Sequence, residues 1–436
     1  MNIDQLYQVY LNKRVICTDT RQITAGCLFF ALKGENFDGN KFALQALNAG
    51  AAYAVIDDEQ FKTNDRFILV DDVLTALQDL ARHHRRQLKI PFIGITGSNG
   101  KTTTKELLYS VLSQHCKTHA TSGNLNNHIG VPLTILSIPE KTDIAIIEMG
   151  ANHQKEIEFL CSIAEPTHGI ITNVGKAHLE GFGGFEGVKI AKGELYDYMQ
   201  NTRGTVFVNS DNFELVDMLR ERTVEKIVSY GKTADNFVSG SLLSETPFLE
   251  VAWHREAQEI DDKTHISRSN LSGTYNFENI LAVICIGTFF KLSAEQINAG
   301  IELYNPVNNR SQIKNTDSNM LICDYYNANP SSMLVAIDNL NAAPGKNKVM
   351  ILGDMFELGS HSSEEHAHII AKAESVKAQK CIFVGEEFYK HQNNTSEFYR
   401  TTQDAYDALK KDPVKDSSVL IKGSRGMKLE TLLDLL

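Results

Sequence analysis

The stretch with the most chemistry in it is Thr96-Gly97-Ser98-Asn99-Gly100-Lys101-Thr102-Thr103, which follows the apolar run Phe92–Thr96 and opens a helical pattern. Glycines let backbone amides wrap closely around phosphate oxygens, and those amides with the helix amino terminus supply positive potential. Lys101 then neutralises the β- and γ-phosphates, while the Thr102 hydroxyl holds a Mg²⁺ ion. Gly97, Ser98, Asn99, Gly100 and Thr103 complete the cradle. The general motif has a glycine five residues before that of Gly-Lys, and Ile95 stands there. The loop is therefore a shorter variant anchored on Gly97.

Other candidates sit at expected strand ends. Glu148 closes the apolar run Ile144–Ile147, where open α/β sheets place their ligands, and carboxylate oxygens suit Mg²⁺. His178 lies in a glycine-rich loop after Gly169–Asn173, although a lone histidine is more often structural than a ligand. Lys192, in Ala191-Lys192-Gly193-Glu194, reads from composition as a solvated helix lysine. Arg310 follows the loop-like Asn305–Asn309 and could clamp phosphate from the next domain, though most surface arginines do nothing of the kind. Asp324 ends a further apolar run. Chemistry alone gives a Mg²⁺-ATP enzyme and leaves the acceptor open.

The elements that must position these groups alternate between apolar β-type runs and helical stretches, the pattern of parallel α/β layers. At 436 residues the chain has room for about three domains of roughly 150 residues each. Residues 1–88 form a small α/β unit with strands Cys27–Leu32 and Tyr53–Asp57, a helical stretch at Phe42–Asn48 and a basic helix, Leu74–Leu88, carrying His83, His84, Arg85 and Arg86. Residues 89–305 hold strands Phe92–Thr96, Ile144–Glu148, Gly169–Asn173 and Thr205–Asn209. Helices are expected at Thr102–His115, Gln154–Cys161, Lys189–Met199 and Phe277–Phe290, with weaker, more polar β structure over 230–270. Ser293 with Gln296 forms a capping box. Residues 306–436 repeat the alternation, with strands Met320–Asp324, Val349–Leu352, Cys381–Val384 and Val419–Lys422.

Composition excludes several classes. The net charge of −11 lacks the basic footprint of a nucleic-acid binder. Apolar runs such as Leu281–Ile286 fall far short of the ~20 residues that cross a bilayer, so no membrane insertion is expected. Met1–Tyr10 has no secretory pattern. Seven scattered cysteines without a Cys-x-x-Cys pair fit reduced thiols, hence a cytoplasmic location.

Taken together, the motifs resemble the Mur ligase family, ATP-dependent amide ligases of peptidoglycan precursor synthesis. Besides the phosphate loop, the resemblance rests on Thr121-Ser122-Gly123-Asn124-Leu125-Asn126-Asn127-His128-Ile129-Gly130, Glu148-Met149-Gly150-Ala151 and Ala177-His178-Leu179-Glu180-Gly181. Asp324-Tyr325-Tyr326-Asn327-Ala328-Asn329-Pro330, Gly353-Asp354-Met355-Phe356-Glu357-Leu358-Gly359 and Lys422-Gly423-Ser424-Arg425 extend it. Asp19-Thr20-Arg21 and Phe30–Gly39 resemble the family's uridine-nucleotide domain, absent from folylpolyglutamate synthetases. No Asp-Asn-Pro-Arg run of the diaminopimelate-adding branch occurs. The dipeptide-adding branch is the better match, with UDP-N-acetylmuramoyl-tripeptide and D-alanyl-D-alanine as substrates.

The resemblance implies an α/β fold of three domains: a small UDP-binding domain, a central P-loop parallel-sheet ATPase domain and a Rossmann-like C-terminal domain. It implies ATP, two Mg²⁺ ions and a monomer. Position by position it assigns Lys101 and Thr102 to phosphate and the first ion, Glu148 and His178 to the second, and Lys192 to a carbamylated lysine that also holds Mg²⁺. Asn276 and Asn279 match positions near the adenine, Arg310 and Asp324 match nucleotide contacts. Lys101, Lys192, His178 and Arg310 form the expected catalytic set. Thr20, Arg21, Lys33, Gly34, Asn124, Asn126, Asn127, Asn327 and Asn329 are the expected substrate contacts. Two positions depart from the pattern: Asn309 stands for the hinge glycine and Tyr275 for a histidine. Rivals are a ligase of the same group with another amino acid or acceptor, and a nucleotide-driven binding switch that would hydrolyse ATP without forming an amide.

Overall fold

The structure is a computed structural model that describes residues 1–245, 247–255, 264–307, 310, 312–343, 345 and 347–436. Asn309, the expected hinge substitute, lies outside the described residues.

Three sheets organise the chain. The first is a four-stranded parallel sheet in the order Ile16–Cys17, Leu28–Phe30, Tyr53–Ile56, Phe67–Leu69. The central sheet has nine strands, with Phe92–Thr96 between His168–Ile171 and Ile144–Glu148. Ile95 pairs with Glu148 and Thr96 with Ile171, so the phosphate loop and Glu148 leave the sheet at the same edge. The stretch read as weak β structure supplies four strands, Lys226–Gly231, Val238–Ser244, Glu250–Arg255 and His265–Arg268; the last three run antiparallel. Its polar look comes partly from alternation on Val238–Ser244, where Val238 and Gly240 are buried and Ser239 and Ser241 are not, while Val251, Ala252 and Trp253 are all buried on the next strand. The third sheet runs Gln312–Asn315, Asn319–Asp324, Ser417–Lys422, Lys348–Gly353, Lys380–Val384, Glu397–Tyr399, parallel except for its first pair.

The helix Asn276–Phe289 is apolar on all sides because it is covered on all sides. It packs on the phosphate-loop helix Lys101–Leu112, on Ala294–Leu303 and on four strands of the central sheet. The Ser293–Gln296 capping box opens Ala294–Leu303 as expected.

The basic helix expected at Leu74–Leu88 forms at Val73–Gln87 and has an apolar inner face. Val73, Leu77, Leu80, Ala81, His84 and Arg85 are buried at helical spacing, and the helix packs on Gly130–Leu136 and Glu156–Ala164 of the central unit. Arg85 caps the end of the latter helix: Nε donates to Ala164 O at 2.8 Å and Nη2 to Glu165 O at 2.7 Å, with the guanidinium 3.7 Å from the Phe92 ring centroid. One apolar core therefore runs from Leu6 and Leu80 through Val131 and Leu160. The first helix, Ile3–Lys13, joins it, and Tyr10 donates its hydroxyl to Leu136 O.

Candidate active site

Sterics written into two glycines shape the phosphate loop. Gly97 has φ +141° and a Cβ there would lie 2.1 Å from Thr172 Oγ1; Gly100 has φ +80° and a Cβ would meet Asn279 Oδ1 at 2.8 Å. A side chain fits neither position. Ser98 Oγ donates to Gly175 O, and Asn99 N donates to Asn173 Oδ1. Lys101 arches back, its Nζ 2.6 Å from Gly97 O. Loss of solvation pushes this lysine down to about 8; Glu148 opposes the shift and Arg310 adds to it. The three groups thus share one electrostatic site.

Glu148 is 1% exposed. Its Oε1 accepts from Thr102 Oγ1 at 3.1 Å and from Asn126 Nδ2 at 3.0 Å, while Oε2 is buried with no hydrogen-bond partner. A buried, half-satisfied carboxylate beside a phosphate loop is an oxygen donor suited to a divalent cation. Lys105, fully buried, stands 3.7 Å from Oε2 and donates to Thr121 O at 2.6 Å. Sequence reading passed over it, although it precedes Leu108 and Leu112 on the buried stripe of its helix.

Lys192 is not the solvated helix lysine that composition suggests. It is 2% exposed, because Val188, Ala191, Leu195, Tyr196 and Met199 place its side of helix Phe185–Thr202 inward. Its Nζ makes one long bond, 3.4 Å, to Ala151 O and lies 5.1 Å from the Phe182 ring centroid. Burial, and secondarily Lys101, pushes it down to about 7, which leaves much of it as the neutral amine near neutrality. His178 packs edge-on against the same Phe182 ring at 6.4 Å, and its Nδ1 meets Glu357 of the C-terminal unit. Among the described residues no three His, Cys, Asp or Glu side chains cluster as a ready metal site.

The C-terminal unit closes over this edge. Asn329 caps helix Pro330–Ala342 and donates to Asn99 Oδ1 at 2.8 Å; Lys176 pairs with Glu365 at 2.6 Å. Asp324 is held by Lys422 at 2.6 Å, its register partner, and Lys422 also reaches the Asn327 carbonyl. Asn327 Oδ1 accepts from Ala328 N. The Arg310 guanidinium lies 4.1 Å from the Tyr326 ring centroid, with its Nε buried and without a partner. Arg425, not among the expected site residues, lies 5.2 Å from the same ring. Tyr275 and Asp324 line a cavity of about 40 Å³ in the seam between the two units.

Asn276 and Asn279 sit below the loop. Asn276 is fully buried, donating to Ser272 O and accepting from Asn279 Nδ2, while Asn279 Oδ1 accepts from Thr104 Oγ1. Asn279 rivets its helix to the phosphate-loop helix, and Asn276 holds the Asn279 amide in place. Asn127 caps Gly130–Leu136, and Asn124 is exposed beside it. In the first unit Arg21 forks onto Asp19 and is largely exposed, Thr20 opens the same short turn, and Lys33 pairs with Asp57 at 2.8 Å. Gly34 belongs to a hairpin with Phe37, whose exposed ring stacks on Phe42.

Three family models match the chain: "Mur ligase family, catalytic domain" at 14–85, "Mur ligase middle domain" at 95–287, and "Mur ligase, glutamate ligase domain" at 309–425. The chain belongs to the Mur ligase family. Curated Mur ligases agree over its full length. The UDP-N-acetylmuramoyl-tripeptide–D-alanyl-D-alanine ligase of Bacillus subtilis strain 168 is 35% identical, covering 96% of this chain and 92% of its own. The Escherichia coli K12 enzyme of the same name is 32% identical over 96% and 92%. Among solved Mur ligases, MurF from Acinetobacter baumannii superposes with a TM-score of 0.86 at 29% identity, covering 98% of this chain and 97% of its own. MurF from Thermotoga maritima, in complex with ADP, gives 0.85 at 25% identity over 98% and 97%.

Proposed function

We propose that this chain uses ATP to join D-alanyl-D-alanine to UDP-N-acetylmuramoyl-tripeptide, giving UDP-N-acetylmuramoyl-pentapeptide, ADP and phosphate. The observation that carries it is the meeting, at one sheet edge, of a phosphate loop, a buried carboxylate with a free oxygen and a fully buried lysine, under a domain linked directly to the loop. Full-length similarity to ligases of that name supports the choice of substrates.

A tripeptide carboxylate oxygen attacks the γ-phosphorus and ADP leaves, giving an acyl phosphate. The dipeptide amine then attacks the carbonyl carbon, loses a proton and expels phosphate. Both partners of the first step are anionic, so preorganised positive charge dominates the barrier. Lys101 supplies it from the central unit and Arg310 from the seam. Thr102 fits a first Mg²⁺ ion and Glu148 a second through oxygen donors, His178 offers the second a ring nitrogen, and Mg²⁺ bound there would neutralise phosphate charge. The neutral Lys192 amine adds to CO₂ and releases a proton, turning a buried cation into a carbamate with ligand oxygens.

Residues 1–88, with Thr20, Arg21, Lys33, Gly34 and the exposed Phe37 ring, take the UDP moiety. Residues 89–305 take ATP, with Asn276 and Asn279 at the base of its site and Asp324 across the seam. Residues 306–436 take the dipeptide near Asn327 and Asn329. Asn124, Asn126 and Asn127 face the peptide. The enzyme works as a cytoplasmic monomer, consistent with seven free cysteines; among the described residues no helix is long and apolar enough to cross a membrane.

The test is phosphate release followed beside product mass, with Mg²⁺-ATP and the UDP-tripeptide. Release that requires D-alanyl-D-alanine and yields the UDP-pentapeptide is expected. Turnover with a single amino acid would overturn the acceptor assignment. Dipeptide-independent hydrolysis without an amide would establish the switch instead.

A further inference from the structure

The motif Gly353-Asp354-Met355-Phe356-Glu357-Leu358-Gly359 has no part in the chemistry above, yet its Glu357 is the residue that meets His178 across the domain seam. The contact is doubly supported, since Glu180 N donates to the Glu357 carbonyl at 3.3 Å. Both partners carry left-handed backbone, His178 at φ 52° and Glu357 at φ 62°. Such strain persists only where the surroundings over-determine it.

Here they do. Asp354 accepts from Glu387 N at 2.9 Å and Phe388 N at 3.0 Å. Met355 N donates to Nε2 of the fully buried His366, whose Nδ1 lies 2.7 Å from Ser362 O. Phe356 N donates to Ser424 Oγ at 3.0 Å, and Ser424 N donates back to Asp354 O. The three residues before Glu357 are therefore pinned one by one, which ties the Lys422–Arg425 motif into the same support. On the other side Gly187 lets the chain close on the Phe182 carbonyl, where a Cβ would come within 1.8 Å. The Phe182 ring then backs both His178 and Lys192.

An imidazole that ligates a cation through one nitrogen commonly donates the other N–H to a carboxylate, which fixes tautomer and ring orientation. We propose that Glu357 is a positioning residue that accepts the Nδ1–H of His178, holds Nε2 toward the Glu148–Lys192 site, and so makes the second cation site depend on docking of the C-terminal domain. This rests on the cation reading of His178 given above.

The test uses the full chain with a non-hydrolysable ATP analogue and Mn²⁺ as the probe, counting bound ions by electron paramagnetic resonance. The wild-type chain is expected to bind two ions. Glu357→Ala should weaken the second by roughly 10–100-fold, the usual effect of losing such a supporting group, and leave the first unchanged. Glu357→Gln, whose amide oxygen still accepts the Nδ1–H, should retain most of the affinity. In a His178→Ala background the Glu357→Ala change should cost nothing further. Unchanged binding in Glu357→Ala overturns the inference, as does equal loss in Glu357→Gln. A wild-type chain that binds one ion removes the cation reading of His178 itself, and Glu357's role with it.

Discussion

Replacing Lys192 by methionine should make the protein more stable and abolish its activity. Methionine keeps the length and the apolar contacts of the lysine stem while removing the buried charge. Burial pushes the folded-state Lys192 from 10.5 down to about 7, so below that pH the folded chain carries an ammonium it solvates poorly. Each unit is worth about 1.4 kcal/mol, which puts the penalty at about 3–5 kcal/mol at pH 7. The sign follows from proton counts. Between pH 7 and 10.5 the unfolded chain binds the proton and the folded chain does not, so wild-type stability rises with pH. The advantage of Lys192→Met should therefore be largest at or below pH 7 and vanish near pH 10.5. At ~2–4 °C per kcal/mol for a unit of ~150–250 residues, the central-domain midpoint should rise by at least about 6 °C at pH 7. The assay is calorimetry at pH 7 and 9.5, with and without bicarbonate. Bicarbonate should raise the wild-type midpoint, by forming the carbamate, and leave the variant unmoved. A lower midpoint for Lys192→Met at pH 7, or a difference that does not shrink by pH 9.5, would refute the reasoning.

Lys101→Ala should cost at least about 10²–10³ in rate, as removal of one preorganised donor does, with an unchanged midpoint for the first and third domains; near-normal product formation would exclude it from the phosphate site. Gly97→Ala should abolish ATP binding in equilibrium dialysis, because its Cβ would overlap Thr172 Oγ1 at 2.1 Å on a left-handed backbone; wild-type affinity would show that the loop relaxes. His84, bonded to Tyr7 and pushed down to about 4 chiefly by burial, makes acid destabilising. The folded chain lacks a proton that the unfolded chain binds between pH 6.5 and 4, so about 3 kcal/mol is lost across that window. His84→Gln should flatten that part of a urea-midpoint profile, and an unaltered profile would count against it. Lys192→Ala should be nearly inactive and regain turnover with added short carboxylates; full activity without them would make the lysine a bystander.

Much of this could be read locally. The phosphate loop was legible because its glycines answer to sterics within a few residues, and Glu148 and Asp324 because each ends an apolar run. The central strands and the Ser293 cap were legible for the same reason: a two-residue period or a three-residue offset is written in the chain itself. The burial of Lys192 and Lys105 was half-written, on apolar stripes whose helical spacing of three, four and seven residues includes them. Composition hid it, since lysine is rarely buried without a partner. The helix Val73–Gln87 was legible as a helix, while which of its basic residues turn inward, His84 and Arg85, was not.

The sequence by itself determined the strand–glycine loop–helix geometry at 96–103, because that geometry is backbone geometry and needs only glycine, a helix start and a strand before it. Tertiary structure alone decided which groups from distant segments share that site. His178 meets Glu357 and Asn99 meets Asn329 only after separate domains dock, and Arg310 and Arg425 flank Tyr326 only once the C-terminal domain has folded. No periodicity records such pairs, since they depend on the shape of whole folded surfaces; packing within the central domain likewise sets the low dielectric that pushes Lys192 down to about 7.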